Sequence, residues 1–262
     1  MSKRKEEEMV HFVGAGPGAK DLITVRGMRL LQEADVVIYA GSLVNEALLE
    51  YCKETCEIYN SAYMTLDEVL EKIRISEEKN LQIVRLHTGE PSIYGAIQEQ
   101  MDALCKEQIP FDNCPGVSAC FGAAASLKLE YTLPGISQSL IITRMEGKTA
   151  VPSLESIESF AAHQATMAIY LSTGMLQELS RRLIAGGYRE DMPAALVYKA
   201  TWPDEKALVC KVSELAQIAQ ENRITKTALV LVGEVLSKEH YELSKLYAPD
   251  FETEFRKRKE TK

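Results

Sequence analysis

The sequence lacks the features that would take the chain into or across a membrane. No apolar stretch approaches the ~20 residues that a membrane-spanning helix needs. The first residues, 1–8, are mostly charged and contain no apolar core of a signal peptide. We therefore expect a protein of the cytoplasm with no membrane partner.

Metal-binding patterns are also missing. The six cysteines form no C-x-x-C pair, and the four histidines are scattered without ligand spacing. Cys52 and Cys56 stand four residues apart, but no nearby histidine or third cysteine completes a tetrahedral site. We interpret the cysteines as small hydrophobic side chains in a reducing compartment, and we predict no metal site.

Several catalytic motifs are absent, and so is the charge that nucleic-acid binding requires. The chain contains no G-x-S-x-G nucleophile elbow, no H-E-x-x-H and no G-x-x-x-x-G-K-[ST] phosphate loop. Its net charge of −8 speaks against a nucleic-acid partner, whose protein footprint is usually basic. A small anionic ligand is still compatible with a local cluster of cations.

What the chain does contain is an alternation of strand and helix patterns. In the first half, predicted strands alternate with predicted helices. Thr24 is the predicted N-cap of the helix from Val25, and Thr65 with Glu68 forms a capping box ahead of another helix. This alternation predicts a mostly parallel sheet. The predicted strands of this half are Met9–Val13, Val36–Tyr39, Glu57–Asn60, Leu81–Leu86 and Phe111–Cys114.

The pattern breaks at Pro134-Gly135, and a second set of elements follows. We predict an α/β fold of two domains, residues 9–134 and 138–238, with charged tails at 1–8 and 239–262. Strands are predicted at Ser139–Thr143, Thr166–Leu171, Ala194–Lys199, Ala207–Lys211 and Ala228–Val232. Helices are predicted at Leu154–Ala162, Leu176–Ala185 and Val212–Glu221.

Three loops rich in small residues each follow a predicted strand of the first half. They are Gly14–Gly18, His87–Gly95 and Pro115–Ala119. In open α/β sheets, ligands bind outside the carboxyl ends of the strands. The sequence therefore predicts one site at which main-chain atoms of all three loops hold a ligand. His87 by itself is also compatible with an imidazole that merely ends the strand.

The first loop also satisfies a loose dinucleotide-binding pattern, so an NAD(P)-dependent oxidoreductase is an alternative. Pro17 speaks against it because proline removes a backbone N–H where a pyrophosphate would need donors. The second strand ends at Tyr39-Ala40-Gly41, without the acidic residue that binds a ribose hydroxyl.

Four cations follow strands of the second half and could hold a polyanionic substrate. Arg144 and Lys148 come after its first predicted strand, and Lys199 and Lys206 bracket a later connection, predicted to be that of a hairpin, which contains Trp202-Pro203. Arginine and lysine bind carboxylates through charge-assisted hydrogen bonds.

Together these segments resemble the tetrapyrrole methyltransferase family over roughly Val10–Leu236. The family pattern V-G-A-G-P-G-[DS] matches Val13–Gly18, with Ala19 in the last position. A second block matches Thr88–Gly95, with Glu90 where aspartate is common, and a third matches Pro115–Ala119. The segments Thr143–Thr149 and Tyr198–Lys206 resemble the branch that methylates C11 of precorrin-4 or cobalt-precorrin-4.

The resemblance implies a cofactor, a substrate and a set of contacts. It implies S-adenosylmethionine, with S-adenosylhomocysteine as product, in a cleft between the two domains, a tetrapyrrole substrate and a homodimer. Methyl transfer at another ring position, or to uroporphyrinogen III, is the nearest alternative, and a non-catalytic tetrapyrrole carrier is a further one. The cofactor contacts that it implies are Pro17, Thr88, Gly89, Glu90, Ile93, Ser118, Ala119, Leu171 and Ala200.

No residue stands out as a catalytic acid or base. A sulfonium already activates its methyl group, so positioning and desolvation can supply most of the catalysis. We expect the substrate carboxylates to meet Arg144 and Lys148, together with Lys199 and Lys206.

Overall fold

A computed structural model describes residues 10–41, 43–239 and 241–258. The chain divides into two compact units. The first runs to Ser126 and also includes Tyr198–Lys206, and the second consists of Leu127–Val197 and the chain from Ala207 onward. Two five-stranded sheets and their helices confirm the predicted α/β class.

The sheet of the first unit has the strand order β3-β2-β4-β1-β5, and its pairings are parallel. The predicted parallel sheet is therefore confirmed. Met9, the first residue of one predicted strand, lies outside the described residues, and β4 begins two residues later than predicted. The strands are β1 (Val10–Gly14), β2 (Val36–Tyr39), β3 (Glu57–Asn60), β4 (Ile83–His87) and β5 (Phe111–Cys114).

Helices pack on both faces of this sheet. Val13, Val37 and Leu86 face a core that includes Leu31. Phe12, Ile38 and Ile83 face a second core that includes Ile73 and Leu104. Burial on both faces explains why these strands read as continuous apolar runs. The helices are α1 (Val25–Glu33), α2 (Leu66–Glu77), α3 (Gln98–Lys106) and α4 (Ala119–Leu127).

Two of these helices begin at predicted caps. The Thr24 hydroxyl accepts a hydrogen bond from Gly27 N at 3.1 Å and starts α1. At the start of α2, Thr65 and Glu68 form the reciprocal capping box. Such caps satisfy N–H groups that have no partner inside the helix, so both predicted helix starts are confirmed.

The sheet of the second unit has the order β6-β7-β10-β8-β9. β6 and β7 are parallel, whereas β10 runs antiparallel to β7. The short connection between the neighbouring strands β8 and β9 fits the predicted hairpin, because parallel neighbours need a longer crossover. The strands are β6 (Leu140–Arg144), β7 (Thr166–Tyr170), β8 (Pro193–Tyr198), β9 (Lys206–Lys211) and β10 (Ala228–Val232).

The helices of this unit are α5 (Ile157–Ala161), α6 (Leu176–Ala185) and α7 (Leu215–Glu221). α6 has the predicted bounds. α5 begins later than the predicted Leu154 because Ser156 caps it and accepts a hydrogen bond from Ser159 N at 3.1 Å. α7 is preceded by a turn of 3₁₀ helix at Val212–Glu214, so the predicted helix from Val212 is α-helical only in its second part.

After β10, the chain keeps local order in the region predicted to be a charged tail. A 3₁₀ turn spans Lys245–Tyr247, and the Arg256 guanidinium donates to the carbonyls of Leu246, Ala248 and Phe251.

The predicted domain bounds, 9–134 and 138–238, remain a prediction. Among the helices within the described ranges, none is long and apolar enough to cross a bilayer.

Candidate functional site

The three predicted loops lie side by side at one edge of the first sheet. They follow β1, β4 and β5, and β1 lies between the other two strands with all three parallel. Parallel strands bring their carboxyl ends to the same edge, where ligands bind in open α/β sheets. The first sheet thus brings the loops together, as the sequence predicts.

Main-chain hydrogen bonds join the first loop to the second. Gly16 N donates to the Gly89 carbonyl at 3.3 Å, and Gly89 N donates to the Gly16 carbonyl at 3.0 Å. Ala15 N also donates to the His87 carbonyl at 2.7 Å. Gly16 and Gly89 have φ angles of +79° and +59°, which favour glycine. The two loops therefore form one fixed main-chain unit.

Close approach of the main chain adds the third loop to this unit. A Cβ on Gly14 would lie 2.5 Å from Gly116 Cα, and one on Gly116 would lie 2.0 Å from the Gly89 carbonyl oxygen. No real side chain tolerates such contacts with main-chain atoms. The first and third loops can therefore approach each other and the Gly89 carbonyl this closely only because Gly14 and Gly116 have no side chain.

The Glu90 carboxylate also links the second loop to the third. Its Oε2 accepts a hydrogen bond from Gly116 N at 2.7 Å, and its Oε1 accepts one from Ser92 N at 3.0 Å. Burial by itself would raise the pKa of Glu90, but these two N–H donors together with the Ser92 hydroxyl outweigh it and lower the pKa below its ordinary value. The ionised carboxylate thus has a structural partner on each loop.

The start of α4 lies beside this junction. A Cβ built on Gly89 would lie 3.6 Å from both Ala119 N and Ser118 Cα. Ser118 precedes the helix and is 5% exposed. Ile93 closes the turn of the second loop by donating its N–H to the Glu90 carbonyl at 3.1 Å. Most of the predicted cofactor contacts are therefore neighbours.

A fourth segment, Tyr198–Lys206, packs against the first loop. Trp202 Nε1 donates to the Pro17 carbonyl at 3.2 Å, and Ala19 N donates to the Thr201 hydroxyl at 3.0 Å. A Cβ on Gly18 would lie 2.7 Å from the Ala200 carbonyl oxygen. Pro17 and Ala200, which are far apart in sequence, thus belong to the same surroundings.

This segment has an unusual main chain. Lys199 and Thr201 flank Ala200 with φ angles of +47° and +68°. Glu205 stabilises the bend because its carboxylate accepts hydrogen bonds from Thr201 N and, at 2.6 Å, from the Ser126 hydroxyl. Non-glycine residues with such angles concentrate at functional sites, where the surrounding structure maintains them.

The four predicted substrate cations have different surroundings. In the second unit, the Arg144 guanidinium donates to the carbonyls of Met145, Thr149 and Ala150 at 3.2, 3.2 and 2.7 Å. It thereby fixes the loop after β6, on which Lys148 is exposed.

In the first unit, Lys199 Nζ pairs with Asp204 at 2.6 Å, and Lys206 begins β9 with an exposed side chain. The grouping of the four cations around one substrate stays a prediction. Leu171, the predicted cofactor contact in the second unit, follows β7 with a φ angle of +53° and is 61% exposed.

Two buried polar side-chain atoms at the end of β4 have no hydrogen-bond partner among the described residues: Thr88 Oγ1 and His87 Nε2. Buried polar atoms are normally paired, so each of these marks a place where a ligand or solvent atom fits. The alternative at His87, an imidazole that merely ends the strand with its hydrogen bonds satisfied, finds no support here, because Nε2 has no partner among the described residues. An unpaired hydroxyl at Thr88, beside the glycine junction, fits a polar nucleoside cofactor.

Several residues of this surrounding were not predicted. Asn45 donates from Nδ2 to the Gly18 carbonyl at 2.8 Å, and its Oδ1 caps a 3₁₀ turn by accepting from Ala47 N. No motif pointed to it. Trp202 lay inside the segment that resembles one branch of the family, but its contact with the first loop could not be read from spacing. Within the described ranges, no group of three or more His, Cys, Asp and Glu side chains could hold a metal.

Comparison with known proteins gives consistent results. The family described as Tetrapyrrole (Corrin/Porphyrin) Methylases matches residues 9–216. A cobalt-precorrin-4 C(11)-methyltransferase of Methanocaldococcus jannaschii is 52% identical over 248 residues, which is 95% of this chain and 96% of the relative.

Solved structures give the same picture. A cobalamin biosynthetic enzyme, cobalt precorrin-4 methyltransferase, aligns with a TM-score of 0.87 and 41% identity over 90% of this chain and 99% of the other. The uroporphyrin-III C-methyl transferase of Thermus thermophilus, complexed with S-adenyl homocysteine, aligns with a TM-score of 0.71 and 26% identity, covering 87% and 93% of the two chains.

Proposed function

The chain belongs to the tetrapyrrole (corrin/porphyrin) methylase family, and we propose that it transfers a methyl group from S-adenosylmethionine to C11 of cobalt-precorrin-4 or precorrin-4 in cobalamin biosynthesis. Relatives named for this reaction on cobalt-precorrin-4 are 52% and 41% identical over 95% of the chain. A relative named for the reaction on precorrin-4 is 40% identical over 91%. Similarity at this level over almost the whole chain supports the reaction.

The observation that carries the proposal is the junction of the three loops. Gly14 and Gly116 approach main-chain atoms at distances that only glycine allows, and Gly89 adopts a φ angle of +59° that favours glycine. Beside them lie the unpaired Thr88 hydroxyl and the start of α4. A junction of main-chain groups of this kind suits a nucleoside that is held by shape and hydrogen bonds.

We propose that the first unit holds the cofactor through residues of four segments. Pro17 and Ala200 would form one wall, and the second and third loops would supply main-chain and hydroxyl hydrogen bonds. Leu171 would come from the second unit. The remaining proposed contacts are Thr88, Gly89, Glu90, Ile93, Ser118 and Ala119. For Glu90 the contact would be through the main chain, because both carboxylate oxygens accept hydrogen bonds from within the protein.

S-adenosylmethionine, when bound, supplies a methyl group that its sulfonium already activates. The chain's own task is then to position both reactants and to exclude water. Orientation by itself can contribute effective molarities of about 10⁵–10⁸ M. The hydrogen-bonded loops provide that orientation without needing a residue that changes its protonation state.

For the substrate, we propose that the macrocycle carboxylates meet Arg144, Lys148, Lys199 and Lys206. Arg144 would act partly through the loop that it fixes, because its guanidinium already donates to three carbonyls of that loop. Lys148 presents an exposed ammonium on the same loop. We further propose, from the family resemblance, that the protein works as a homodimer in the cytoplasm.

The decisive experiment supplies ¹³C-methyl S-adenosylmethionine with cobalt-precorrin-4 or with precorrin-4 in parallel reactions. We expect one labelled methyl group in the product by mass spectrometry and its assignment to C11 by NMR. A label on another ring carbon would contradict the regiochemistry. Thermal-shift measurements with S-adenosylhomocysteine and with NAD test the cofactor separately, since a ligand that binds the native state raises its stability. Stabilisation by NAD alone would favour an oxidoreductase.

A further inference from the structure

An open cavity of about 200 Å³ lies in the first unit at the carboxyl ends of β2, β3 and β4. Small-molecule sites usually measure about 300–1,000 Å³, so this cavity suits one arm of a ligand rather than a whole macrocycle. It begins at His87, the residue directly before the proposed cofactor contacts Thr88 and Gly89. Its lining includes Ala40, Ser61, Arg85, His87, Ala96 and Gln100.

The cavity contains a buried cation that has no carboxylate partner among the described residues. Arg85 is 6% exposed, and its Nε and Nη1 donate to Gln100 Oε1 at 3.0 Å and to the Ile38 carbonyl at 2.9 Å. Both acceptors are neutral, and Nη2 makes no hydrogen bond to another described residue. Burial lowers the pKa of Arg85 to about 10, so the guanidinium is still charged at neutral pH. A buried charge without a partner is costly and usually has a function.

His87 provides a second polar group that lacks a partner. Its side chain is 3% exposed and lines the same cavity, and its Nε2 has no hydrogen bond to any residue that the structure describes. Burial, together with the neighbouring Arg85 charge, lowers the pKa of His87 to about 3. The imidazole is therefore neutral at physiological pH, and in the tautomer protonated at Nε2 it can donate a hydrogen bond without adding charge.

Other contacts hold these two groups in place. Gln100 accepts from Arg85 Nε and donates from Nε2 to the Ala96 carbonyl at 3.0 Å. The His87 ring stacks on Phe12 with centroids 6.0 Å apart. Ala96 has a φ angle of +50°, so the chain adopts an unfavourable conformation at the cavity wall. A cation and a donor fixed in advance are what a bound anion requires.

We propose that this cavity is a carboxylate-binding subsite, in which the Arg85 guanidinium supplies the charge and His87 Nε2 donates a second hydrogen bond. The source of the carboxylate rests on the proposed function: it is either a carboxylate arm of the macrocycle or the carboxylate of the cofactor's amino-acid end. Glu99 is exposed and lines the same cavity, and its negative charge opposes an incoming anion.

The test uses the full chain labelled with ¹⁵N-histidine and follows the ring nitrogens of His87, assigned with the His87→Gln variant. Acetate should shift these resonances in a saturable way, whereas acetamide, which is similar in shape but neutral, should not. Acetate affinity should fall about tenfold to a hundredfold in Arg85→Met, as expected for a hydrogen-bonded charge. No saturable shift with acetate, or an equal shift with acetamide, would overturn the proposal.

Glu99→Gln keeps the test independent of any folding defect in Arg85→Met. Removal of the opposing charge should tighten acetate binding by roughly 1.5-fold to fivefold, the range of an exposed charge pair. The matched control is Asp102→Asn, which makes the same charge change on α3 at an exposed residue that does not line this cavity. Equal effects of the two substitutions, or weaker binding in Glu99→Gln, would contradict the proposal.

Larger ligands distinguish the two sources without any need for turnover. A His87 shift with S-adenosylhomocysteine that is absent with 5′-methylthioadenosine, which lacks the carboxylate, would assign the subsite to the cofactor. A shift with uroporphyrin III in the presence of S-adenosylhomocysteine would assign it to the macrocycle. If acetate binds but neither larger ligand shifts His87, the subsite stands and both assigned sources are wrong. Methyl transfer in the labelled reaction is measured separately, so failure of the subsite and failure of the proposed function give different results.

Discussion

Replacement of Glu90 by glutamine should weaken cofactor binding although no atom of the cofactor need touch the carboxylate. The carboxylate accepts hydrogen bonds from Ser92 N and Gly116 N, one on each oxygen. A glutamine side chain has only one oxygen, so one of the two N–H groups would face an NH₂ group and lose its acceptor. An unsatisfied buried donor costs about 1–3 kcal/mol. We expect the lower half of that range because Glu90 is partly exposed.

Part of this cost should appear as lost affinity, because Gly116 N lies on the loop that leads to Ser118 and Ala119. If about 1 kcal/mol of it is required to restore the loop on binding, the dissociation constant for S-adenosylhomocysteine should rise about fivefold. Isothermal titration calorimetry measures this value, and calorimetric unfolding measures the fall in Tm. The affinity and Tm of Glu90→Asp should lie between those of the wild type and Glu90→Gln, because aspartate keeps the charge but has a shorter side chain.

The lowered pKa of Glu90 also determines how its contribution to stability changes with pH. The pKa of Glu90 is lower in the folded protein than its ordinary value of about 4.3. Its stabilising contribution is therefore present above that ordinary value and is lost as the pH falls through the folded value. The stability difference between the wild type and Glu90→Gln should be full at pH 7 and should shrink below about pH 4.

Glu33→Gln is the matched control, because Glu33 is an exposed glutamate at the end of α1. It should change neither affinity nor Tm measurably. Equal affinities and Tm values for Glu90→Gln and the wild type at pH 7 would refute the linking role of this carboxylate.

Three further predictions test other parts of the site. Trp202 is the single tryptophan and contacts the first loop, so its fluorescence should change saturably with S-adenosylhomocysteine. An unchanged fluorescence at a ligand concentration that saturates binding in calorimetry would contradict the placement of the cofactor. Gly116→Ala should lower the free energy of unfolding by about 1–3 kcal/mol or more, because the added methyl group overpacks the junction. The control is Gly174→Ala, whose Cβ meets nothing within 4 Å and which should change that free energy by no more than about 0.5 kcal/mol. Denaturant titration measures both values. Arg144→Lys loses the planar donors that hold the loop after β6. It should raise KM for the tetrapyrrole more than Lys148→Gln does and leave cofactor affinity unchanged. Equal KM values for Arg144→Lys and the wild type would exclude this role.

The sequence predicts local features well where the cause is local. The capping box of Thr65 and Glu68 and the cap at Thr24 need only neighbouring residues, and both are present. The three glycine-containing loops were predicted to meet because parallel strands bring their carboxyl ends together. That inference required only a parallel α/β sheet and no detail of side-chain packing.

Features that depend on distant contacts were not predictable in the same way. Trp202 bonds to Pro17 across 185 residues of sequence, and no spacing rule connects them. Arg144 looks like a free cation in the sequence, whereas three carbonyls of its own loop occupy its guanidinium. Arg85 lies inside a buried strand pattern, and only the structure reveals that its acceptors, Gln100 and the Ile38 carbonyl, are neutral and that it has no carboxylate partner among the described residues.

The same contacts explain why glutamate can stand where related sequences commonly have aspartate. The partners of the Glu90 carboxylate are main-chain N–H groups of Ser92 and Gly116, and a loop can shift slightly to meet a longer or shorter side chain. A carboxylate that had to reach a reacting atom would not have this tolerance. Two hydrogen bonds from the protein also keep Glu90 ionised, so it has no proton to donate at neutral pH. The first unit thus uses the Glu90 carboxylate to fix the loops. Under the proposed function, methyl transfer would then depend on how accurately those loops hold their ligands.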